Sequence, residues 1–312
     1  MIGKTSLFGP VNPARDAGYD DPPARKGFFT DTSICIGCKA CEVACKEWNE
    51  VPDNGFDMLG MSYDNTGSLN ANSWRHVAFV EQPARPTAPP VDLGMPTLLH
   101  DGVADDGQQT TVAGEDRPDF RWLMSSDVCK HCTHAACLDV CPTGSLFRTE
   151  FGTVVVQDDI CNGCGYCVPA CPYGVIERRE RPEAAKNVGI AQKCTLCYDR
   201  LGAGMTPACA QACPTQSIQF GDVDELRERA KQRVEALQAG GVTDARLYGA
   251  DPEDGVGGAG AFFLLLDEPE VYGLPPDPVV TTRDLPHMYQ RAVVAAGALL
   301  LGAVLSFLER RS

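Results

Sequence analysis

An α+β body in two cysteine-rich halves, each carrying insertions, with one C-terminal transmembrane helix is the architecture that the sequence predicts. Three observations predict it. The 16 cysteines fall into four runs of four, three of which end in x3-Cys-Pro. Short alternating stretches rich in Phe and Val flank the runs, as half-buried strands do. Residues 292–308 are uncharged and apolar, between Arg291 and Glu309.

The run Cys161-Asn-Gly-Cys164-Gly-Tyr-Cys167-Val-Pro-Ala-Cys171-Pro172 sets the theme. Its spacing, C-x2-C-x2-C-x3-C-P, is the bacterial ferredoxin run, in which three thiolates hold one 4Fe-4S cluster and the fourth reaches another. Pro172 turns the chain out of the short helix that carries Cys171. Gly163 and Gly165 let backbone N–H groups approach a negatively charged cofactor. Two other cysteine chemistries compete. Disulfides suit small chains that lack a core, whereas 312 residues at 44% hydrophobic can build one. Structural zinc uses paired C-x2-C ribbons, which leave the third cysteine and the Cys-Pro without a role.

Taken in order, residues 1–26 follow no helix or strand period and read as an extended N-terminal arm, with neither a twin arginine nor an apolar segment for export. Gly27-Phe-Phe-Thr30 is a strand leading into Cys35-Ile-Gly-Cys38-Lys-Ala-Cys41-Glu-Val-Ala-Cys45, and Glu42 to Asn49 can continue as a helix. Residues 51–120 are an insertion. Within it Trp74–Val80 alternates as a strand, and the Pro-, Gly- and Asp-rich stretch 83–118 reads as a surface loop or hairpin lying on the body or on a partner.

After a strand at Arg121–Met124 comes Cys129-Lys-His-Cys132-Thr-His-Ala-Ala-Cys137-Leu-Asp-Val-Cys141-Pro142. Four cysteines complete a ligand set, so His131 and His134 are expected behind the ligands as hydrogen-bond donors or on the surface. Ser145 to Val156 reads as a hairpin turning at Glu150–Gly152. The last run is Cys194-Thr-Leu-Cys197 and then Cys209-Ala-Gln-Ala-Cys213-Pro214. A strand at Ser217–Phe220 follows. Asp222, with Glu225, is expected to cap a helix that carries Leu226, Ala230, Val234 and Leu237 on one face and stops at Gly240-Gly241. Gly255–Gly260 lacks the context of a nucleotide loop and is assigned to close backbone packing, ahead of a buried strand at Ala261–Leu266.

Residues 292–308 at 1.5 Å rise span roughly 25 Å, within reach of a ~30 Å hydrocarbon core once Tyr289 and the flanking arginines snorkel. Lipid contact is expected there. Arg310 and Arg311 after the span, against Arg291 before it, favour a cytoplasmic C-terminus and an extracytoplasmic body. A formal charge of −15 with no basic stripe disfavours nucleic acid as a partner. No nucleophile elbow, phosphate loop, catalytic carboxylate pair or flavin fingerprint is present, so the chain reads as a holder of electron carriers without an active site. Four runs of four imply four 4Fe-4S clusters. Lys39, Lys130 and Lys193 adjoin ligand cysteines and would stabilise a reduced cluster, or are ordinary surface lysines.

The residues also carry a resemblance. Cys35 to Asn49, Cys161 to Gly174, and Lys193-Cys-Thr-Leu-Cys197 through Cys213-Pro-Thr215 resemble the four-cluster electron-transfer subunits of molybdopterin oxidoreductases. Tyr248, Gly255-Val-Gly-Gly258 and Tyr272-Gly-Leu-Pro-Pro-Asp-Pro278, followed by one membrane helix, resemble more narrowly the β (iron–sulfur) subunits of membrane-bound respiratory formate dehydrogenases. The resemblance implies two ferredoxin-like dicluster halves, one from residues 27–50 and 190–221 and the other from 121–189. Residues 222–285 would cap them toward partners, and 286–312 would form the membrane helix and tail. It further implies ligand sets shared between runs: Cys35, Cys38, Cys41 with Cys213; Cys45 with Cys194, Cys197, Cys209; Cys129, Cys132, Cys137 with Cys171; and Cys141 with Cys161, Cys164, Cys167. The implied partners, in anaerobic respiration, are a catalytic subunit holding molybdenum or tungsten on pterins and a membrane cytochrome b that reduces quinone. Nitrate, sulfoxide and polysulfide reductases and hydrogenases use the same wiring and stay open as alternatives.

Overall fold

A computed structural model describes residues 12–55, 63–64, 66–83, 120–183, 185–280, 282 and 285–309. Its elements in order are α1 (Pro13–Asp16), β1 (Lys26–Asp31), α2 (Ala40–Trp48), β2 (Arg75–Pro83), β3 (Phe120–Val128), α3 (Ala136–Asp139), β4 (Leu146–Arg148), β5 (Val154–Val156), α4 (Cys167–Ala170), β6 (Glu177–Arg178), β7 (Ala191–Gln192), α5 (Tyr198–Gly202), α6 (Ala208–Gln211), β8 (Ile218–Asp222), α7 (Val223–Ala239), β9 (Arg246–Tyr248), β10 (Ala261–Leu265) and α8 (Leu285–Glu309). The mixed helix and strand content fits the expected α+β class.

The extended reading of residues 1–26 is corrected at α1. The Asn12 side chain accepts the Arg15 N–H, and Pro13 opens the turn where no N–H partner is needed. Residues 1–11 lie outside the described residues.

The central sheet has the order β8-β1-β10-β9. β1 runs parallel to β10, with Phe28 opposite Ala261, and antiparallel to β8, with Phe28 opposite Phe220. Alternation along the two inner strands gives the sheet two buried faces. Phe29, Phe262 and Leu264 pack on Val223, Leu226 and Ala230 of α7. Phe28, Ala261, Phe263 and Leu265 turn the other way, into a core that contains Cys41, Cys129, Cys194 and Cys209. Each such large apolar side chain is worth roughly 1.5–3 kcal/mol when buried. One face of the sheet therefore anchors a helix, and the other walls off the thiols.

α7 stops at Gly240 as expected, but Asp222 does not cap it. The Asp222 carboxylate is held by Lys26 Nζ across the sheet edge, and the Val223 N–H goes to the Arg25 carbonyl at 2.8 Å. Gly255 serves close packing: a Cβ there would lie 2.1 Å from the Pro278 carbonyl oxygen.

β2 and β3 pair antiparallel from Arg75 opposite Val128 to Pro83 opposite Phe120, joining the two strands read at the edges of the insertion. The stretch 84–119 between them lies outside the described residues, and with it the contacts expected of 83–118. β4 and β5 form the expected hairpin, and β6 pairs with β7. Leu146, Val154 and Ala191 from these pairs, with Ile176 just before β6, enclose Cys167. Helix α2 packs against α6, which together with the β1–β8 pairing brings the first cysteine run to the last.

α8 is the single helix among the described residues long and apolar enough to cross a membrane. Its apolar span, His287–Phe307, covers 21 residues, about 31 Å at the helical rise, which is slightly more than the sequence reading allowed. Its described side chains are exposed, Leu299 by 76%. Ser306 Oγ donates back to the Gly302 carbonyl at 2.9 Å, so its hydroxyl asks nothing of the surroundings.

Candidate metal centre

The first cysteine run follows a 3-10 turn at Thr32–Ile34, which Asp31 caps by accepting the Ser33 N–H at 2.9 Å. Gly37 then adopts φ +64°, where a Cβ would strike Met124 and Phe79. Lys39 is left-handed too, and α2 begins immediately after it, placing Cys41 and Cys45 one turn apart. Cys35, Cys38, Cys41 and Cys213 line one cavity, with Ser126, Thr215 and Ser217 among them. Cys41 Sγ lies 3.2 Å from Ser126 Oγ.

Cys45, one turn further along α2, gathers with Cys194, Cys197 and Cys209. The Asn49 side-chain amide donates to Cys45 Sγ at 3.7 Å and to Cys197 Sγ at 4.0 Å, and the Leu196 N–H donates to Cys194 Sγ at 3.3 Å. Cys129, Cys132, Cys137 and Cys171 line a second cavity with Lys130, His131, Tyr173 and Lys193. Cys141 meets Cys161, Cys164 and Cys167 near the surface, and its sulfur pairs with the hydroxyls of Ser145 at 3.5 Å and Thr143 at 3.7 Å. Cys38 and Cys164 are exposed, whereas Cys41, Cys45, Cys129, Cys167, Cys194, Cys197 and Cys209 are buried.

Burial first, and the crowding of neighbouring thiols second, make most of these groups hard to ionise alone. Cys41 is pushed up to about 11 by burial, against the opposing Arg75. Burial pushes both Cys197 and Cys167 up to about 11, with Cys209 adding to the first and Cys161, Cys164 and Cys141 to the second. Cys137 rises to about 12, and Cys45, Cys132 and Cys194 also rise through burial and their neighbours. Cys141 differs. Burial again opposes ionisation, but hydrogen bonds from Ser145, the Leu146 N–H and Thr143 bring it down to about 6. Four sulfur donors gathered together, most of them hard to ionise one by one, fit an iron–sulfur cluster, whose irons would supply the charge that makes the thiolates stable there. Among the described residues no trio of Cys, His, Asp or Glu converges tightly enough for a single metal ion, whereas the first and third of these groups surround open space.

The groups also feel one another in a definite order. Cys209 acts on Cys41, Cys129 on Cys194, and Cys167 on Cys137. The packing agrees: Cys41, Cys194, Cys209 and Cys129 share one core, and Cys137, Cys171, Cys141 and Cys167 share another, so the four groups adjoin in a line from that of Cys41 to that of Cys141.

The surface reading of the lysines is corrected for two of the three. Lys130 is 1% exposed and Lys193 2%. Lys130 Nζ pairs with Asp127, donates to the Val128 carbonyl at 3.0 Å and stands 5.1 Å from the ring centres of Tyr173 and Phe263. Lys193 Nζ donates to the carbonyls of Val154 and, at 3.0 Å, Cys194. Lys39 is partly buried and pairs with Glu42 and Asp64. His131 is buried, not superficial. Its Nδ1 accepts the Val154 N–H at 3.1 Å, and burial together with Lys193, Arg25 and Arg148 holds the ring well below its ordinary pKa, hence neutral. His134 is half-buried, its ring against Gly257.

The sequence reading missed Arg75, which is 2% exposed. Burial alone would lower its pKa, but the thiols of Cys209, Cys41, Cys194 and Cys45 outweigh burial and raise it. The signal was present: Arg75 shares the inward phase of β2 with Val77 and Phe79, where an arginine is out of place.

A family profile described as "4Fe-4S dicluster domain" matches residues 120–223, and another with the same description matches 34–145. The chain is similar to the nitrate-inducible formate dehydrogenase iron-sulfur subunit of Escherichia coli (strain K12), 38% identical over 84% of this chain and 76% of that one. It is similar to the formate dehydrogenase iron-sulfur subunit of Haemophilus influenzae, 36% identical over 98% of this chain and 86% of the other. The B subunit of anaerobic dimethyl sulfoxide reductase from Escherichia coli is 34% identical over 65% of this chain and 76% of its own length.

Proposed function

Because the chain belongs to the family of formate dehydrogenase iron-sulfur subunits, whose members transfer electrons without an active site of their own, we propose that it is the wiring of a formate-oxidising respiratory complex. It carries four 4Fe-4S clusters. Electrons enter from a catalytic subunit that holds molybdenum or tungsten on pterins, and leave to a membrane cytochrome b and quinone. The ligand sets are Cys35, Cys38, Cys41, Cys213; Cys45, Cys194, Cys197, Cys209; Cys129, Cys132, Cys137, Cys171; and Cys141, Cys161, Cys164, Cys167.

The observation that carries this reading is the line of four thiol groups, each sharing a packed core with the next. When bound, a 4Fe-4S cluster supplies a one-electron site whose potential follows its charge environment, hydrogen bonds and exposure. The chain's own residues set those three. Ser126, Asn49 and the Leu196 N–H reach thiol sulfurs, Phe28, Phe263 and Leu265 exclude water, and Cys38 and Cys164 bring the two ends of the line to the surface where partners can meet them. α8 anchors the subunit in the membrane through lipid contact, with the body on the extracytoplasmic face.

The reading is tested on the purified complex: formate is expected to reduce its iron–sulfur signals within the turnover time, and a large pterin-containing subunit is expected to co-purify. The likeness to the B subunit of dimethyl sulfoxide reductase, which stops at 65% of this chain, favours a second reading as the wiring of a sulfoxide reductase. Dimethyl sulfoxide reoxidising the reduced complex, with formate inert, would establish that reading instead. Deleting residues 286–312 is expected to release the body from membranes, and protease added outside intact cells is expected to cleave the body; its protection there would reverse the side.

A further inference from the structure

We propose that Arg75 is a shared counter-charge for the two thiol groups that meet at it, Cys35, Cys38, Cys41 and Cys213 on one side and Cys45, Cys194, Cys197 and Cys209 on the other, raising the reduction potentials of both. The inference rests on the ligand sets given above.

Arg75 is anchored at one end only. Nη1 donates to the Ser126 carbonyl at 3.2 Å and to Ser126 Oγ at 2.9 Å, and that hydroxyl lies 3.2 Å from Cys41 Sγ. The Phe28 ring covers the guanidinium at 4.9 Å. Nε and Nη2 are buried and have no partner, and among the described residues no carboxylate pairs with the group. A guanidinium stays charged in proteins, so neutralisation gives no relief from burial. Such a charge persists in an interior only where negative charge faces it. Thiols of both groups surround it: Cys41 of the first and Cys194 and Cys209 of the second lie in one core with the Phe28 ring that covers the guanidinium.

One-electron reduction of a cluster adds one negative charge and needs no proton. A fixed positive charge in a site emptied of water favours that added charge strongly, because little solvent screens it. Standing between two groups, Arg75 lowers the cost of reducing either, and its attraction for each offsets part of the repulsion when both are reduced. A carboxylate pairing with it would cancel the effect.

The test uses the anaerobically purified complex, with iron analysis and an electron-paramagnetic-resonance redox titration of all clusters. Arg75→Gln removes the charge and keeps a hydrogen-bonding side chain. Two of the four midpoints fall together, each by at least a tenfold loss in the reduction equilibrium, about 59 mV for a one-electron step. The other two stay in place. Arg75→Lys keeps the charge and holds every midpoint within threefold of the unsubstituted protein. Full iron with no midpoint moved in Arg75→Gln, with one moved alone, or with all four moved equally overturns the proposal. If Arg75→Gln takes up no iron, Arg75→Lys decides: retained midpoints support the charge, and a tenfold fall overturns it. An unsubstituted protein with markedly fewer than four irons per cysteine quartet overturns the ligand sets themselves, which full iron with unmoved midpoints does not.

Discussion

Arg75 and Lys193 are buried alike at two successive junctions of the thiol line, yet they are satisfied differently. Arg75 lies between the group of Cys41 and that of Cys194, with Nε and Nη2 left open. Lys193 lies beside Cys194 and lines the cavity of Cys129, with its ammonium bonded to the carbonyls of Val154 and Cys194. A lysine tied to backbone carbonyls is a structural cation that also contributes a field. An arginine with open donors has little structural use, which is why its effect is expected in the potentials and that of Lys193 in the fold.

The sharpest way to break this contrast is to remove the iron. Anaerobic chelation leaves both cations facing neutral thiols, and the expected loss is more than about 5 kcal/mol of unfolding free energy, read from urea midpoints before and after treatment. A chelated chain as stable as the loaded one would mean that neither junction depends on the clusters. Next comes the apolar wall that both junctions share. Phe263→Ala is expected to cost about 3–5 kcal/mol and to lower iron content in the groups of Cys41, Cys129 and Cys194. Iron lost equally from the group of Cys141, which packs around Ile176 instead, would argue against two separable cores.

Lys193→Met should cost about 1.5–3 kcal/mol, since two buried carbonyls lose a charged donor; calorimetry of the loaded protein checks it. Its midpoints should move less than those of Arg75→Gln, and the reverse order would exchange the two roles. The smallest effect is Ser126→Ala, about 1 kcal/mol, which frees Arg75 Nη1 and Cys41 Sγ from their shared hydroxyl.

Much of this was legible in the sequence because thiol spacing is a local property. Cys161, Cys164 and Cys167 must share a loop whatever the rest does, and the Phe28–Phe29 and Ala261–Leu265 stretches are apolar at every position because the sheet is covered on both faces. What stayed hidden depends on contacts between distant residues. Lys130 and Lys193 look like surface lysines until Asp127, Val154 and the sheet close over them. Asp222 has the right place and neighbours for a helix cap, but a lysine nearly two hundred residues earlier in the chain takes its carboxylate (|i−j| = 196). His131 and Arg75 acquire meaning only when β5 and β3 lie against them.

The position of β1 in the central sheet bears on biosynthesis. Lys26–Asp31 leaves the ribosome well before its neighbours on both sides, Ile218–Asp222 and Ala261–Leu265, which lie about 190 and 230 residues further along the chain. At roughly 5–20 residues per second the N-terminal run waits on the order of ten seconds or more for its scaffold. Cys129, Cys132, Cys137, Cys141, Cys161, Cys164, Cys167 and Cys171 meet no such delay, since all eight lie in one contiguous stretch. Loading during translation would therefore begin in the middle of the line and reach the end that holds Cys38 last, leaving Cys35 and its companions exposed to oxidants for longest.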